Sequence, residues 1–207
     1  MSYKILVLAT RNKGKITELR KLLSGFDIHI KGLDDFGPIP EAKEDGHTFE
    51  ENAYKKAFFT ANSLGVPALA DDSGLVVRAL GGEPGVHSAR YAGDHASDEE
   101  KYIKLLKEME GKSERSAYFE CAIVIALPTG QSKTFTGTCE GEIAFEPSGD
   151  EGFGYDPVFL YPPLKKTFAQ IPLEEKNKIS HRGKAMARLK EEFDKVFNWL
   201  EFKGNVK

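Results

Sequence analysis

Residues 67–93 read P-A-L-A-D-D-S-G-L-V-V-R-A-L-G-G-E-P-G-V-H-S-A-R-Y-A-G, and the arrangement of the whole chain turns on how this stretch is read. Asp71 and Asp72 stand inside an apolar run from Val66 to Leu80, where a purely structural strand carries Val, Ile or Leu. A buried carboxylate needs a base, a metal or a proton. Strand alternation sends the two acids to opposite faces, so one of them points at any given site. Two readings stay open from this stretch alone: a turn between two short strands, marked by Asp-Asp-Ser-Gly, or one bent strand carrying a site.

Upstream, Tyr3 to Ala9 is almost wholly aliphatic and predicts a strand buried on both faces, in a sheet covered by helices. The loop T-R-N-K-G-K at 10–15 joins it to a helix marked by Ile16, Leu19, Leu22 and Leu23. A short strand over 27–31 follows, and then a long Gly/Pro/acid-rich connection over 32–48, of a length that points to function or mobility. Thr48 and Glu51 form a capping box for a helix from about 49 to 63.

Downstream, Ser97 and Glu100 make a second box, and Arg115–Leu127 and Lys133–Ile143 read as a hairpin with one solvated face. Residues 149–157, G-D-E-G-F-G-Y-D-P, predict a loop and no core element. A short helix over 173–178 leads to a final helix striped by Met186, Leu189, Phe193, Val196, Phe197 and Leu200.

The 207 residues suit one domain, 1–207, in two lobes, and 40% hydrophobic residues supply a core. A net charge of −3, from 29 basic and 32 acidic residues without a like-charged block, argues against nucleic acid or a membrane surface as partner. The N-terminus lacks the pattern of a signal peptide and no apolar run spans a bilayer, so a cytoplasmic setting is expected. Cys121 and Cys139, without metal-ligand spacing, read as small buried apolar residues.

Three constellations could carry chemistry. The 10–15 loop offers a helix N-terminus with Lys13 and Lys15, suited to polyphosphate, although no Walker or G-x-G-x-x-G pattern is present. Glu44, Asp45, Asp71 and Asp72 are hard oxygen donors without His or Cys, which favours Mg²⁺ completed by water and phosphate. Phe153 between glycines can stack on a flat ring, and Arg182 can donate to a carbonyl on its edge. For His181 a core or capping role is the plainer alternative, and Ser180 can cap the last helix.

Six ordered stretches resemble the inosine triphosphate pyrophosphatase family: T-x-N-x-x-K at 10–15, T-F-x-E-N-A at 48–53, A-D-D-S-G-L at 70–75, G-x-P-G-V-x-S-A-R-Y-A-G at 82–93, G-F-G-Y-D-P-x-F at 152–159 and E-E-K-x-x-I-S-H-R-G at 174–183. The resemblance implies an α/β fold, with an elongated mixed central sheet flanked by helices and two lobes with the active site in the cleft between them, and commonly a homodimer. It implies hydrolysis of non-standard purine nucleoside triphosphates (ITP, dITP, XTP) to the monophosphate and pyrophosphate with Mg²⁺. By the matching motifs, Thr10, Arg11, Asn12, Lys13, Gly14 and Lys15 would hold phosphates, Lys13 and Lys15 offsetting charge in the reaction. Glu44 and Asp72 would serve the metal, Asp72 also as the base, and Ser73 would touch substrate. Phe153, Gly154, Tyr155, Asp156, Lys176, His181 and Arg182 would complete the nucleotide pocket. Around Glu44 the chain reads E-A-K-E-D-G, where relatives often have adjacent glutamates, so Glu41 or Asp45 could share the ligand role. Asp71 is expected on the opposite face in a structural or supporting role. The competing readings are a nucleotide-binding sensor without turnover and a septum-inhibitor-like pyrophosphatase acting on pyrimidine or modified nucleotides.

Overall fold

The structure is a computed structural model, and it describes residues 3–40 and 42–204. Its strands are β1 (Ile5–Leu8), β2 (His29–Gly32), β3 (Ala68–Val77), β4 (Ser116–Ala126), β5 (Ser132–Ile143), β6 (Phe159–Tyr161) and β7 (Lys166–Thr167). The helices are α1 (Lys13–Leu22), α2 (Phe49–Leu64), α3 (Asp98–Glu108), α4 (Leu173–Ile179) and α5 (His181–Gly204). The strands form one mixed sheet in the order β2-β1-β3-β4-β5-β6-β7. β1 runs parallel to β2 and β3, whereas β6 is antiparallel to β5 and β7. The chain divides into two compact units, residues 1–72, 122–135 and 186–207 in one, and 73–121 and 136–185 in the other.

The first unit is built on β1, whose Leu6 and Val7 are fully buried, as expected of a strand without a polar face. Val7 packs with Ala61 of α2 and Ala68 of β3, and the α5 stripe adds Phe193, edge-on to Phe26 at 4.7 Å between centroids. The predicted strand at 27–31 lies two residues later, at 29–32. It is the sheet edge, and its outward groups are engaged by side chains: Arg20 donates from Nε and Nη2 to Ile30 O, and Gly32 N–H donates to Asp35 Oδ2. That leaves less edge for another chain to pair with.

In the second unit, Leu75, Val77, Leu105, Phe119, Phe159 and Phe168 pack around the buried faces of β3, β4 and β5. α3 opens on the complete Ser97–Glu100 capping box. At α2 the box is half formed: Thr48 Oγ1 accepts from Glu51 N–H, but the Glu51 carboxylate reaches back to His47 N–H.

Of the two readings left open for Asp71 and Asp72, the strand holds: β3 runs unbroken through both. One expectation is corrected. The 149–157 loop does reach the core, with Tyr155 4% and Asp156 3% exposed. The Tyr155 ring joins the apolar cluster, and its hydroxyl donates to Ser88 O at 2.9 Å, so the polar end is satisfied inside. Both cysteines are buried and reduced, and burial pushes the Cys139 thiol up to about 11. No helix among the described residues is long and apolar enough to cross a membrane.

Candidate active site

In the first unit the 10–15 loop leaves β1 and turns directly into α1. Asn12 caps the helix, its side chain accepting from Lys15 N–H at 3.2 Å, and Thr10 Oγ1 accepts from Asn12 N–H at 3.2 Å. Arg11 pairs with Asp34 at 2.6 Å on the exposed side of the loop. Thr10, Arg11, Asn12, Glu44, Lys56 and Thr60 share one hollow of about 360 Å³. Lys13, Gly14 and Lys15 belong to α1 and do not line that hollow. Lys15 instead pairs with Asp71 at 2.7 Å.

Alternation along β3 separates the two aspartates as expected, and each meets its own lysine. Asp72 accepts from Lys56 Nζ at 2.9 Å, and the same ammonium lies 3.5 Å from Glu44. Burial raises the Asp72 carboxyl above the usual range; the Lys56 charge and hydrogen bond oppose it, and the Glu44 charge adds to it. Asp45 is held elsewhere, by Lys43 at 2.8 Å and Lys55 at 2.6 Å. Of the two described alternatives, Glu44 shares a cation with Asp72 and Asp45 does not; Glu41 lies outside the described residues.

Lys56 was not anticipated. A trace of it exists in the sequence: Asn52, Lys56 and Thr60 recur at i, i+4, i+8 along α2, a polar stripe beside the buried Ala53, Ala57 and Ala61. Asn52 is fully buried, and its Oδ1 accepts from Gly46 N–H at 2.8 Å. A Cβ on Gly46 would lie 2.7 Å from that oxygen, so the loop carrying Glu44 is pinned against α2 at a position that glycine alone fits.

The residues present fit a Mg²⁺ ion. Glu44 and Asp72 already bracket one cationic group, and both donors are hard oxygens. Among the described residues no cluster of three or more His, Cys, Asp or Glu side chains could hold a metal. A two-carboxylate set suits an ion that keeps water and takes substrate phosphate.

In the second unit a hollow of about 240 Å³ is lined by Ser73, Phe153, Tyr155, Asp156, Lys176 and His181, with Gly154 also on its wall. Its walls come from β3, residues 88–89, α3, β4, the 149–157 loop, α4 and the start of α5. Phe153 is 75% exposed and Lys176 Nζ lies 4.9 Å from its ring centre. The Lys176 ammonium forms a buried ion pair with Asp156, whose other donor is Phe153 N–H at 2.8 Å. Burial pushes the Asp156 carboxyl up, against the opposing pull of Lys176. The His181 ring stacks on Phe119, 4.7 Å between centroids at 14°. Arg182 is half-buried and does not line the hollow, although the sequence reading placed it at the ring edge. Ser180 Oγ accepts from Gly183 N–H at 3.1 Å, the capping role read as its alternative.

The mixed seven-stranded sheet with flanking helices places the chain among α/β proteins. Residues 6–192 match the model of the Ham1 family, and the chain belongs to that family. It is 57% identical over 200 residues to a dITP/XTP pyrophosphatase of Syntrophobacter fumaroxidans, covering 97% of this chain and 86% of the relative. Identity to the Geobacter sulfurreducens protein of the same name is 53%, over 90% and 94% of the two chains. Among solved structures, the Staphylococcus aureus Ham1 protein superposes with a TM-score of 0.89 at 43% identity, covering 93% of this chain and all of that one.

Proposed function

We propose that this protein hydrolyses non-standard purine nucleoside triphosphates (ITP, dITP, XTP, dXTP) to the nucleoside monophosphate and pyrophosphate. The relatives' printed names support the substrate class. The observation that carries the chemistry is the convergence of Glu44 and Asp72 on one cation, in the unit whose hollow is walled by the Thr10–Asn12 loop.

Glu44 and Asp72 would hold Mg²⁺, whose charge offsets that of the phosphates. Asp72 takes a proton from the attacking water. The water oxygen bonds to the α-phosphorus, and the bond from that phosphorus to the bridging oxygen breaks. Pyrophosphate departs with the bond electrons. Lys13, Lys15 and Lys56 offset its charge, and the Thr10–Asn12 loop orients the phosphates. Phe153 stacks on the base. The oxygen at C6 of hypoxanthine or xanthine accepts from His181, the member of the His181–Arg182 pair that lines this hollow, where the adenine amino group would set donor against donor. Asp156 and Lys176 fix the loop that carries Phe153, which makes their part indirect. The homodimer stays with this proposal on the strength of the family resemblance, and the cytoplasmic setting on the sequence pattern of the N-terminus and the lack of a long apolar run.

Product analysis with ITP, ATP and Mg²⁺ tests it. Inosine monophosphate and pyrophosphate are expected from ITP, with ATP far slower and excess chelator abolishing both. ITP binding without products would replace the reading with that of a sensor, and phosphate as the released product would move the cleaved bond.

A further inference from the structure

The loop that carries Phe153 is held from a direction the family motifs do not mark. Asp98, the first residue of α3, accepts the Gly154 N–H on Oδ2 at 2.7 Å across 56 residues of sequence. Its other oxygen, Oδ1, accepts from Lys101 Nζ at 2.8 Å, one turn along the same helix. Lys101 is well covered, its side chain 13% exposed, and both residues line the hollow with Phe153. The Lys101 hydrogen bond and charge, with the Gly154 N–H, hold the Asp98 carboxyl below its ordinary range despite partial burial.

Gly154 needs such an anchor. It lies between Phe153 and Tyr155 with φ +64°, a left-handed conformation that leaves its N–H directed out of the loop. Its neighbours are tied down by other means: Phe153 N–H by Asp156 within the loop, and the Tyr155 hydroxyl by Ser88 O. The Phe153 ring, being 75% exposed, has little packing of its own to set its direction. Its orientation therefore follows the backbone on either side.

We infer that Asp98 is a positioning residue: through Gly154 it holds Phe153 in the pose that receives the purine ring, and so sets substrate affinity rather than the rate of bond cleavage. The inference rests on the proposed reading of this hollow as the base pocket. Asp98 touches no reacting atom. A charged acceptor on a backbone amide is among the stronger hydrogen bonds, and its loss frees the Gly154 N–H that Asp98 holds.

Asp98→Ala and Asp98→Asn separate anchoring from mere packing, because Asn keeps an acceptor oxygen for Gly154 but lacks the charge that draws Lys101. With ITP, Asp98→Ala is expected to raise KM about tenfold while kcat stays within about twofold, and Asp98→Asn to recover most of the loss. Equal losses in kcat and kcat/KM with KM unchanged, or an Asn variant as impaired as the Ala variant, would overturn the inference. Amide-hydrogen exchange over residues 152–156 needs no substrate. It should speed up about tenfold in Asp98→Ala and return in Asp98→Asn, and unchanged exchange overturns the inference whatever the kinetics. Should the native protein leave ITP intact, the base-pocket reading fails on that result. The exchange experiment then still decides whether Asp98 holds the loop.

Discussion

Lys56 Nζ lies 2.9 Å from Asp72 and 3.5 Å from Glu44, so a single ammonium stands between the two carboxylates assigned to the metal. Without it the repulsion between the two carboxylates loses its shared cation. Lys56→Met is therefore expected to lower the melting temperature of the metal-free protein at neutral pH. Added Mg²⁺ should restore more stability in the variant than in the native chain, since an ion that binds only the folded state stabilises it by mass action. Thermal melts with and without Mg²⁺ measure this, and equal Mg²⁺ effects in the two proteins would remove Lys56 from the metal site.

Asp72 couples stability to pH. Burial raises its carboxyl pKa in the folded chain, so the folded state holds the proton more tightly than the unfolded state does. Stability from this group falls as pH rises from the ordinary aspartate value of about 3.9 through the raised one, and stays lower above it. Asn has the shape without the charge. Asp72→Asn should thus be no less stable than the native protein at pH 7, with the difference fading towards pH 4, while turnover drops ~10²–10⁴-fold. A variant that melts several degrees lower at pH 7 would show that the Lys56 pair outweighs burial.

Asp71 tests the other lysine. Its side chain is 10% exposed and paired at 2.7 Å with Lys15, an ion pair that a triphosphate bound as proposed would share or displace. Asp71→Asn removes that competing negative charge but also the fixed partner of the ammonium. The expected outcome is a KM for ITP lower by a few-fold with kcat down about tenfold, on the scale of one partly buried ion pair. An increase in KM would mean instead that Asp71 holds Lys15 in its binding pose.

Two glycines, Gly154 on the wall of the second hollow and Gly183 at the start of α5, should respond differently to alanine. A Cβ on Gly183 would lie 1.7 Å from Asn177 O, a backbone atom that cannot step aside, whereas a Cβ on Gly154 meets open space and only the φ of +64° opposes it. Gly154→Ala is expected to cost ~1–2 kcal/mol and Gly183→Ala more than that, of order 3 kcal/mol. Denaturant titration of both variants measures the difference. Equal losses would mean that the α4–α5 junction relaxes around the added methyl.

Much of this was legible along the chain. Aliphatic runs located β1 and β4, capping residues located the starts of α2 and α3, and the α5 stripe matched its buried face, because hydrophobic period and helix-end chemistry act between near neighbours. The two candidate hollows gather most of the residues that the motifs nominated. What lay outside local rules was missed or misplaced. Lys56 reads as one of many helix lysines until β3 sets Asp72 against it. Tyr155 and Asp156 read as solvated loop residues until Ser88 and Lys176 arrive to satisfy them.

Taken by itself, then, the sequence determined most of the elements, though not the short strands β6 and β7, together with the family and the 67–93 stretch as the pivot of the chain. It left Asp-Asp-Ser-Gly open between a turn and a strand, since four polar or small residues suit either backbone equally. The tertiary structure decided for the strand. Lys15 pairs with Asp71 and Lys56 with Asp72, so each of the two carboxylates meets a cation of its own. Burial energies depend on which partners are present, and those partners come from parts of the chain 56 and 16 residues away.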